Sequence, residues 1–431
     1  MSEVHFNTLP QWLEWIESSH PVDKIELGLD RLRKVFTKMA LDFSSSRIVI
    51  VGGTNGKGST IAMLDQVLRD HSKSVGCFTS PHFLRYNERI KLGGQPVSDT
   101  LIVRAFEAIE QCRGGVPLTY FEYNTLAALH VFATEQPDVM LLEVGLGGRL
   151  DAINIVDAEI SVVTTVSVDH VDWLGDDREQ IGYEKAGIYR HNCPAVCGDP
   201  NPPQQLVSYA NEIGAELYLR GRDFNLVPQD DKGWIWQGKQ VDGSLFEISG
   251  LPELTLPEAN AATVIQVLQL LDMMPQSASL GLSLKSASLM GRMQIVSISG
   301  IDYILDVAHN PEAAEYLAEQ LCSKPVEGRT LMVLGMLADK DIDEVLRHLK
   351  PIVDCWYLAG LDVPRGQSAL ALSEKLNQQG VNVTPQSAYD TVQVALKAVE
   401  ADVKPGDRVI IAGSFFTVSA ALTALNMDDK E

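Results

Sequence analysis

The residues best equipped for chemistry form one run, Gly52-Gly53-Thr54-Asn55-Gly56-Lys57-Gly58-Ser59-Thr60. Glycines let a backbone curl until its N–H groups face one point, and a helix that begins there adds the positive end of its dipole. A phosphate suits such a nest: Lys57 reaches the outer phosphates, and a hydroxyl beyond it ligates Mg²⁺. The general pattern G-x-x-x-x-G-K-[ST] is broken, because Gly58 separates Lys57 from Ser59. The competing reading is an ordinary glycine-rich turn. The strand pattern before the run and the helical spacing after it favour phosphate. No Asn-Lys-x-Asp motif is present to read a guanine base, and Gly145-Leu146-Gly147-Gly148 does not complete G-x-G-x-x-G, which disfavours a GTPase and a dinucleotide site.

Mg²⁺ on a nucleotide takes few protein oxygens, with phosphates and water completing its shell. Glu143 ends the apolar run Val139-Met140-Leu141-Leu142, and a carboxylate after a buried strand is costly unless paired or metal-bound. Asp169 and His170 follow the run from Ile160 to Val166 in the same way, although His is an uncommon Mg²⁺ ligand. Ser80 follows Val75 to Phe78 within Thr79-Ser80-Pro81-His82, where a turn or cap role is the plainer alternative. Lys185, in Tyr183-Glu184-Lys185-Ala186-Gly187, reads by default as a solvated helix lysine.

A scaffold that gathers strand ends must position these groups. Arg47-Ile48-Val49-Ile50-Val51 predicts a buried strand, and Ile61, Leu64, Val67 and Leu68 then follow helical spacing. Strands are predicted at Val75 to Phe78, Val139 to Leu142 and Ile160 to Val166, with a helix marked by Leu126, Leu129, Phe132 and Ala133. Alternation of strand and helix implies a parallel sheet covered on both faces. Residues 217 to 248 change character: Leu217-Tyr218-Leu219, Trp234-Ile235-Trp236 and Leu245-Phe246-Glu247-Ile248 predict short antiparallel strands with Gly turns. Helical spacing resumes from Asn260 to Leu271. A second βα series opens near Tyr303-Ile304-Leu305 and continues through 330–334, 355–358 and 408–412. The expected domains are 1–293, an α/β P-loop ATPase domain with a small antiparallel addition, and 294–431, a smaller Rossmann-like α/β domain.

The chain has 431 residues, with 35 Lys plus Arg against 57 Asp plus Glu and a formal charge of −22. So acidic a balance argues against a general nucleic-acid binder but not against a small anion in a local pocket. Hydrophobic residues make up 45%, enough for substantial cores. No apolar stretch is long enough to span a membrane, and Met1-Ser2-Glu3-Val4-His5 lacks the order of a signal peptide. The six cysteines are scattered. Cys193 and Cys197 lack zinc-spaced companions, so reduced thiols in a cytoplasmic protein are expected.

Taken in chain order, Gly53 to Ser59, Thr79-Ser80-Pro81-His82, Glu143 to Ala152, Asp169-His170, Glu184-Lys185-Ala186-Gly187-Ile188, Gly291-Arg292, Asp306-Val307-Ala308-His309-Asn310-Pro311 and Gly413-Ser414-Phe415 resemble the Mur ligase superfamily of ATP-dependent amide-bond ligases. The nearest likeness is to the branch that adds glutamate to pteroates and folates, and it spans essentially the whole chain. Its loops carry the same inserted glycine as Gly58. The resemblance implies ATP on Asn55, Gly56, Lys57, Gly58, Ser59, Thr60, Asn260, Arg292 and Asp306. It implies Mg²⁺, two ions, at Ser59, Ser80, Glu143 and His170, with a monovalent cation such as K⁺, and a carbamylated Lys185. Lys57, Lys185, Asp306 and His309 would be catalytic, and His309 and Ser414 would meet glutamate. The pterin would meet Gly28, Leu29, Asp30 and Arg31, then Thr119, Tyr120, Phe121 and Glu122, then Leu150, Asp151 and Ala152. Without the resemblance, the first two of these segments read as a helix start and a helix cap.

The implied activities are glutamate ligation to dihydropteroate and further ligation to folates, by a monomer whose partners are small molecules, with neither nucleic acid nor membrane. Three alternatives compete. One is a ligase with only the second activity. Another is a cell-wall Mur ligase acting on a nucleotide sugar, disfavoured because too little chain precedes residue 52 for a nucleotide-sugar domain. The third is a P-loop regulator that makes no amide bond. Lys57, Arg149 and Arg292 are the cations expected to offset the acidic surface at the site.

Overall fold

The computed structural model describes residues 5–20, 26–229, 233–239 and 244–425. Met1 to Val4, read above for a leader, lie outside them. The chain forms two compact units, Met1–His82 with Tyr86–Ala287, and Phe83–Arg85 with Ser288–Glu431. Arg292 therefore belongs to the second.

The first unit is built on eight strands: β1 (Arg47–Gly52), β2 (Val75–Phe78), β3 (Ile90–Leu92), β4 (Gln95–Pro96), β5 (Val139–Glu143), β6 (Ile160–Val163), β7 (Pro194–Cys197) and β8 (Glu216–Leu219). Their order is β4-β3-β2-β5-β1-β6-β7-β8. All neighbours from β2 to β8 run parallel, while β3 and β4 turn antiparallel at one edge. β1, β2 and β5 read as continuous apolar runs because helices cover both faces, so no polar alternation is required. Val51 pairs with Glu143, Gly52 with Val163, and Phe78 with Leu142. The carboxyl ends of β2, β5, β1 and β6 thus lie side by side, the place where ligands bind in open α/β sheets.

The structure corrects two expectations. Leu217-Tyr218-Leu219 is not an antiparallel strand: it forms most of β8, with Leu217, Tyr218 and Leu219 opposite Ala195, Val196 and Cys197 in parallel register. The intervening helix Gln204–Glu212 supplies the crossover that a parallel connection needs, with Leu206 and Ala210 fully buried. β6 stops at Val163 rather than Val166: beyond it the Val166 N–H goes to the Asp199 carboxylate at 2.8 Å instead of to a neighbouring strand. The other two expected antiparallel strands form a separate sheet. There β10 (Trp234–Lys239) pairs with β11 (Leu245–Leu251) and with an unforeseen β9 (Phe224–Pro228).

In the second unit the strands are β12 (Gln294–Ile298), β13 (Ile301–Asp306), β14 (Thr330–Leu334), β15 (Cys355–Ala359), β16 (Ala388–Tyr389) and β17 (Arg408–Ala412). They are ordered β12-β13-β17-β14-β15-β16 and are parallel except for β12. Helices Pro311–Ser323, Ile342–Leu349 and Ala369–Gln378 cover one face. Val392–Asp402 and Phe415–Ala424 cover the other. No helix among the described residues is long and apolar enough to cross a membrane.

Candidate active site

The glycine run leaves β1 and enters the helix Lys57–Asp70 through Gly56, whose φ of +85° an L side chain rarely adopts. A Cβ there would come 2.6 Å from Oδ1 of Asn260, so the helix Glu258–Leu270 walls the turn. The residues after β6 form the opposite wall. Thr164 donates its hydroxyl to the Asn55 carbonyl at 2.5 Å, and Thr165 accepts the Asn55 N–H at 3.1 Å. Sequence reasoning missed both threonines because they continue a β-branched run. Lys57 folds its ammonium back to the Gly53 and Thr54 carbonyls, 3.1 Å each. Ser59 and Thr60 lie buried in the first turn; the Thr60 N–H already bonds the Gly56 carbonyl at 2.9 Å, while the N–H groups before it lack an intrahelical acceptor.

An open cleft beside this loop is lined by Gly53, Thr54, Lys57, Val144 to Gly147, Asp169, His170, Leu174 and Lys185. His170 is exposed and sits in the left-handed region at φ 55°, its N–H held by Asp169 Oδ1 at 2.8 Å. Lys185, only 4% exposed, is not the solvated lysine of the default reading. Its position follows from two close approaches. A Cβ on Gly148 would meet the carbonyls of Glu184 and Lys185 at 2.9 Å, and one on Gly187 would strike Arg149. Arg149 also donates to Glu184 at 2.8 Å. The cation expected to serve an anionic ligand is thus engaged in fixing the Lys185 helix.

Glu143, buried at the end of β5, accepts the Ser80 N–H at 2.9 Å. Among the described residues no three His, Cys, Asp or Glu side chains gather as a metal cluster. Two hydroxyls, one carboxylate and one imidazole make a sparse, mostly hard-oxygen donor set. It fits Mg²⁺, which keeps much of its shell for phosphate and water.

The three pterin candidates meet. The Gly28 N–H donates to the Leu150 carbonyl at 3.3 Å. Arg31 Nε donates to both Glu122 oxygens at 2.9 Å. The Phe121 ring lies against Gly145, where a Cβ would come within 2.6 Å. Several of these side chains are already engaged. Thr119 and Glu122 form a capping box at the start of the helix Tyr120–Glu135, and Arg31 also bonds Glu26 Oε2 at 2.6 Å. Asp30 is exposed in the first turn of the helix Asp30–Met39. Asp151 is buried beside Ala152 and accepts the N–H groups of Leu146 and Ile153 at 2.9 and 3.0 Å. Burial pushes its carboxyl up to about 6, while those N–H groups pull the other way. Phe121, half-buried, is the aromatic face this group offers beside half-buried Leu29 and Leu150.

In the second unit, Asp306 and Ala412 are paired ends of β13 and β17. Asp306 is buried and accepts the N–H groups of Met293 and Ala308, both at 2.8 Å. Burial raises its carboxyl, with Arg292 the largest opposing influence. The Arg292 guanidinium lies 5.3 Å over the Phe415 ring, and the His309 ring is 6.5 Å from it. Ser414 caps the helix Phe415–Ala424, accepting the Thr417 N–H at 3.0 Å. Four of the expected residues therefore share one end of this sheet.

Residues 51–197 match the Mur ligase middle domain, and residues 291–415 match the glutamate ligase domain of Mur ligases. The chain is 41% identical over 428 residues to a dihydrofolate synthase/folylpolyglutamate synthase of Haemophilus influenzae, covering 95% of this chain and 96% of that protein. It is similar to the solved structure of Escherichia coli FolC in complex with DHPP and ADP, with TM-score 0.90, 42% identity and 98% of each chain covered. A bifunctional folylpolyglutamate synthase/dihydrofolate synthase solved with Mn, AMPPNP and L-glutamate gives TM-score 0.89 at 40% identity, covering 99% of this chain and 100% of the other.

Two outcomes follow from the geometry. Gly56→Ala should weaken ATP binding at least about tenfold in calorimetry, through a strained φ costing about 1–3 kcal/mol and a collision with Asn260. Unchanged affinity would mean the turn does not hold phosphate. Glu122→Ala strips a buried acceptor from Arg31 and Thr119, and should destabilise the first unit by about 3 kcal/mol, seen as a lower thermal midpoint. A double Arg31→Met/Glu122→Leu chain should recover part of that loss.

Proposed function

The chain belongs to the dihydrofolate synthase/folylpolyglutamate synthase family of Mur ligases, and on that premise we propose that it joins L-glutamate to dihydropteroate, giving dihydrofolate, and adds further glutamates to folates. ATP is converted to ADP and phosphate. The reading rests above all on the meeting of the phosphate loop with Phe121, Asp151 and buried Lys185 around one set of strand ends.

A carboxylate is a poor electrophile, because its charge is delocalised and its leaving group would be oxide. Transfer of the γ-phosphoryl group of ATP to a carboxylate oxygen releases ADP and gives an acyl phosphate. The glutamate amine then attacks the acyl carbon: the C–N bond forms, the C–O bond to phosphate breaks, and the amine loses a proton. Positioning and charge balance are the protein's contribution. Residues 55 to 60 hold the phosphates, and Lys57 leaves its loop carbonyls to balance the transferring group. Asn260, Arg292 and Asp306 take the rest of the nucleotide. Ser59, Ser80, Glu143 and His170 would hold Mg²⁺, which would supply neutralisation of phosphate charge. We assign two such ions and a monovalent cation such as K⁺. Phe121 offers a ring face to the pterin, with Gly28 to Arg31, Thr119 to Glu122 and Leu150 to Ala152 shaping its pocket. Domain 294–431 receives glutamate through His309 and Ser414, and 1–293 holds the acceptor and, in its loop, the ATP phosphates. The protein works as a cytoplasmic monomer without nucleic acid.

Buried Lys185 supports its assignment as a carbamate: the neutral amine bonds the carbon of CO₂ and loses one proton to solvent, leaving a carboxylate on a long arm, suited to metal and hydrogen-bond donors.

ADP release, measured with dihydropteroate, tetrahydrofolate or a UDP-muramyl peptide, each with and without glutamate, tests the reading. Glutamate-dependent release with the first two is expected. Release with tetrahydrofolate alone would leave only the second activity, and release with the muramyl peptide alone would overturn the assignment. Lys185→Ala should lose most of the activity and regain part of it in acetate. A fully active variant would remove the carbamate.

A further inference from the structure

The mechanism above leaves the small sheet of β9, β10 and β11 without a part, yet a buried indole from it reaches the helix that walls the phosphate turn. Trp236, on β10, is 0% exposed, and its Nε1 donates to the Ala262 carbonyl at 3.0 Å. A carbonyl inside a helix accepts the N–H four residues on, and its second lone pair is free to take the indole. One turn later, buried Gln266 donates Nε2 to the carbonyl of Lys239, the last residue of β10, at 3.4 Å. The sheet therefore grips the helix Glu258–Leu270 at two successive turns. Asn260 and Thr263, neighbours at i and i+3, present a different face. Asn260 walls Gly56, and a Cβ on Gly198, just past β7, would come 2.6 Å from Thr263 Oγ1. The sheet is anchored in turn. Asp223 accepts the Leu219 N–H at the end of β8 at 2.9 Å and the Lys239 ammonium at 2.7 Å. Within it, Gly238 has no Cβ to strike the Trp236 ring, and Phe246 packs edge-on against that ring at 6.4 Å.

We propose that Trp236 is a positioning residue for the nucleotide: its indole fixes the helix Glu258–Leu270 so that Asn260 stands against the phosphate turn. The inference rests on the reading of Asn260 and the turn as nucleotide contacts. Apolar packing alone lets a helix rotate or slide by small steps, whereas a directed N–H to one carbonyl selects a single setting. The antiparallel addition then has a task in the first unit, to hold from behind a wall that the nucleotide meets in front.

Calorimetric binding of AMPPNP with Mg²⁺ to the full chain tests this. Trp236→Phe keeps an aromatic ring and removes the donor, and should weaken binding about tenfold, the worth of one hydrogen bond. In ADP release it should raise KM for ATP by a similar factor and leave kcat at saturating ATP within about twofold, as loss of uniform binding requires. Asn260→Ala should weaken binding too, and the double variant should bind no more weakly than Asn260→Ala alone, because Trp236 acts through Asn260. Phe246→Ala loosens the sheet but spares the indole bond; it should lower the thermal midpoint with AMPPNP affinity unchanged. Wild-type affinity in Trp236→Phe, multiplying losses in the double variant, or an equal loss in Phe246→Ala would overturn the proposal. If Trp236→Phe fails to fold, hydrogen exchange in wild type decides: amides of 234–239 should exchange more slowly with AMPPNP bound, and unchanged exchange would overturn the coupling. Wild type that binds no AMPPNP would sink the nucleotide reading and this inference with it, whereas wild type that binds while Trp236→Phe binds equally would sink only the role of Trp236.

Discussion

Pairing of β1 with β5 on one side and β6 on the other is the constraint on which the first unit depends. The ladder places Val51 beside Glu143 and Gly52 beside Val163. The candidates for phosphate and metal in this sheet then emerge at one level: the glycine turn after β1, Ser80 after β2, Glu143 at the end of β5, and the two threonines after β6. Parallel strands buried on both faces have no polar side to anchor them, so register rests on the hydrogen bonds and on side-chain fit. A slip of one residue would move Glu143 by about 3.3 Å and turn its side chain to the opposite face. The Ser80 N–H would then lose its acceptor, and a carboxylate would be buried without a partner.

Much of this arrangement is legible in the sequence because apolar runs end abruptly in glycine, serine or a carboxylate, and strand ends are where an α/β sheet keeps its ligands. Periodicity does not reveal partner choice. Leu217-Tyr218-Leu219 looks the same whether it pairs parallel or antiparallel, and only the helix preceding it decides. Thr164 and Thr165 read as more strand, since a β-branched residue fits a strand as well as it fits a loop wall. Trp236 reads only as one more strand residue. Its meaning depends on Ala262 and Asn260, which reach it through the fold.

Net charge misleads in a related way. At −22 the chain should repel ATP and glutamate alike. Several of the cations that a count would set against that repulsion are already occupied: Arg31 with Glu26 and Glu122, Arg149 with Glu184, Arg178 with Asp199. On the proposed reading, attraction of an anion falls to Lys57, which now bonds the Gly53 and Thr54 carbonyls, and to Arg292, which lies over Phe415. Helix N-termini and backbone N–H groups supply the remainder without adding formal charge.

The box at Thr119 and Glu122 ties a helix start to Arg31 on a different helix through one carboxylate. Glu122 serves both of the others, accepting from Arg31 and from Thr119, so neither can be lost without taking a partner from that buried carboxylate. Heredity at positions 31, 119 and 122 is therefore collective. Lineages of this fold should carry the trio intact or have exchanged it as a block, passing through a less stable ancestor on the way.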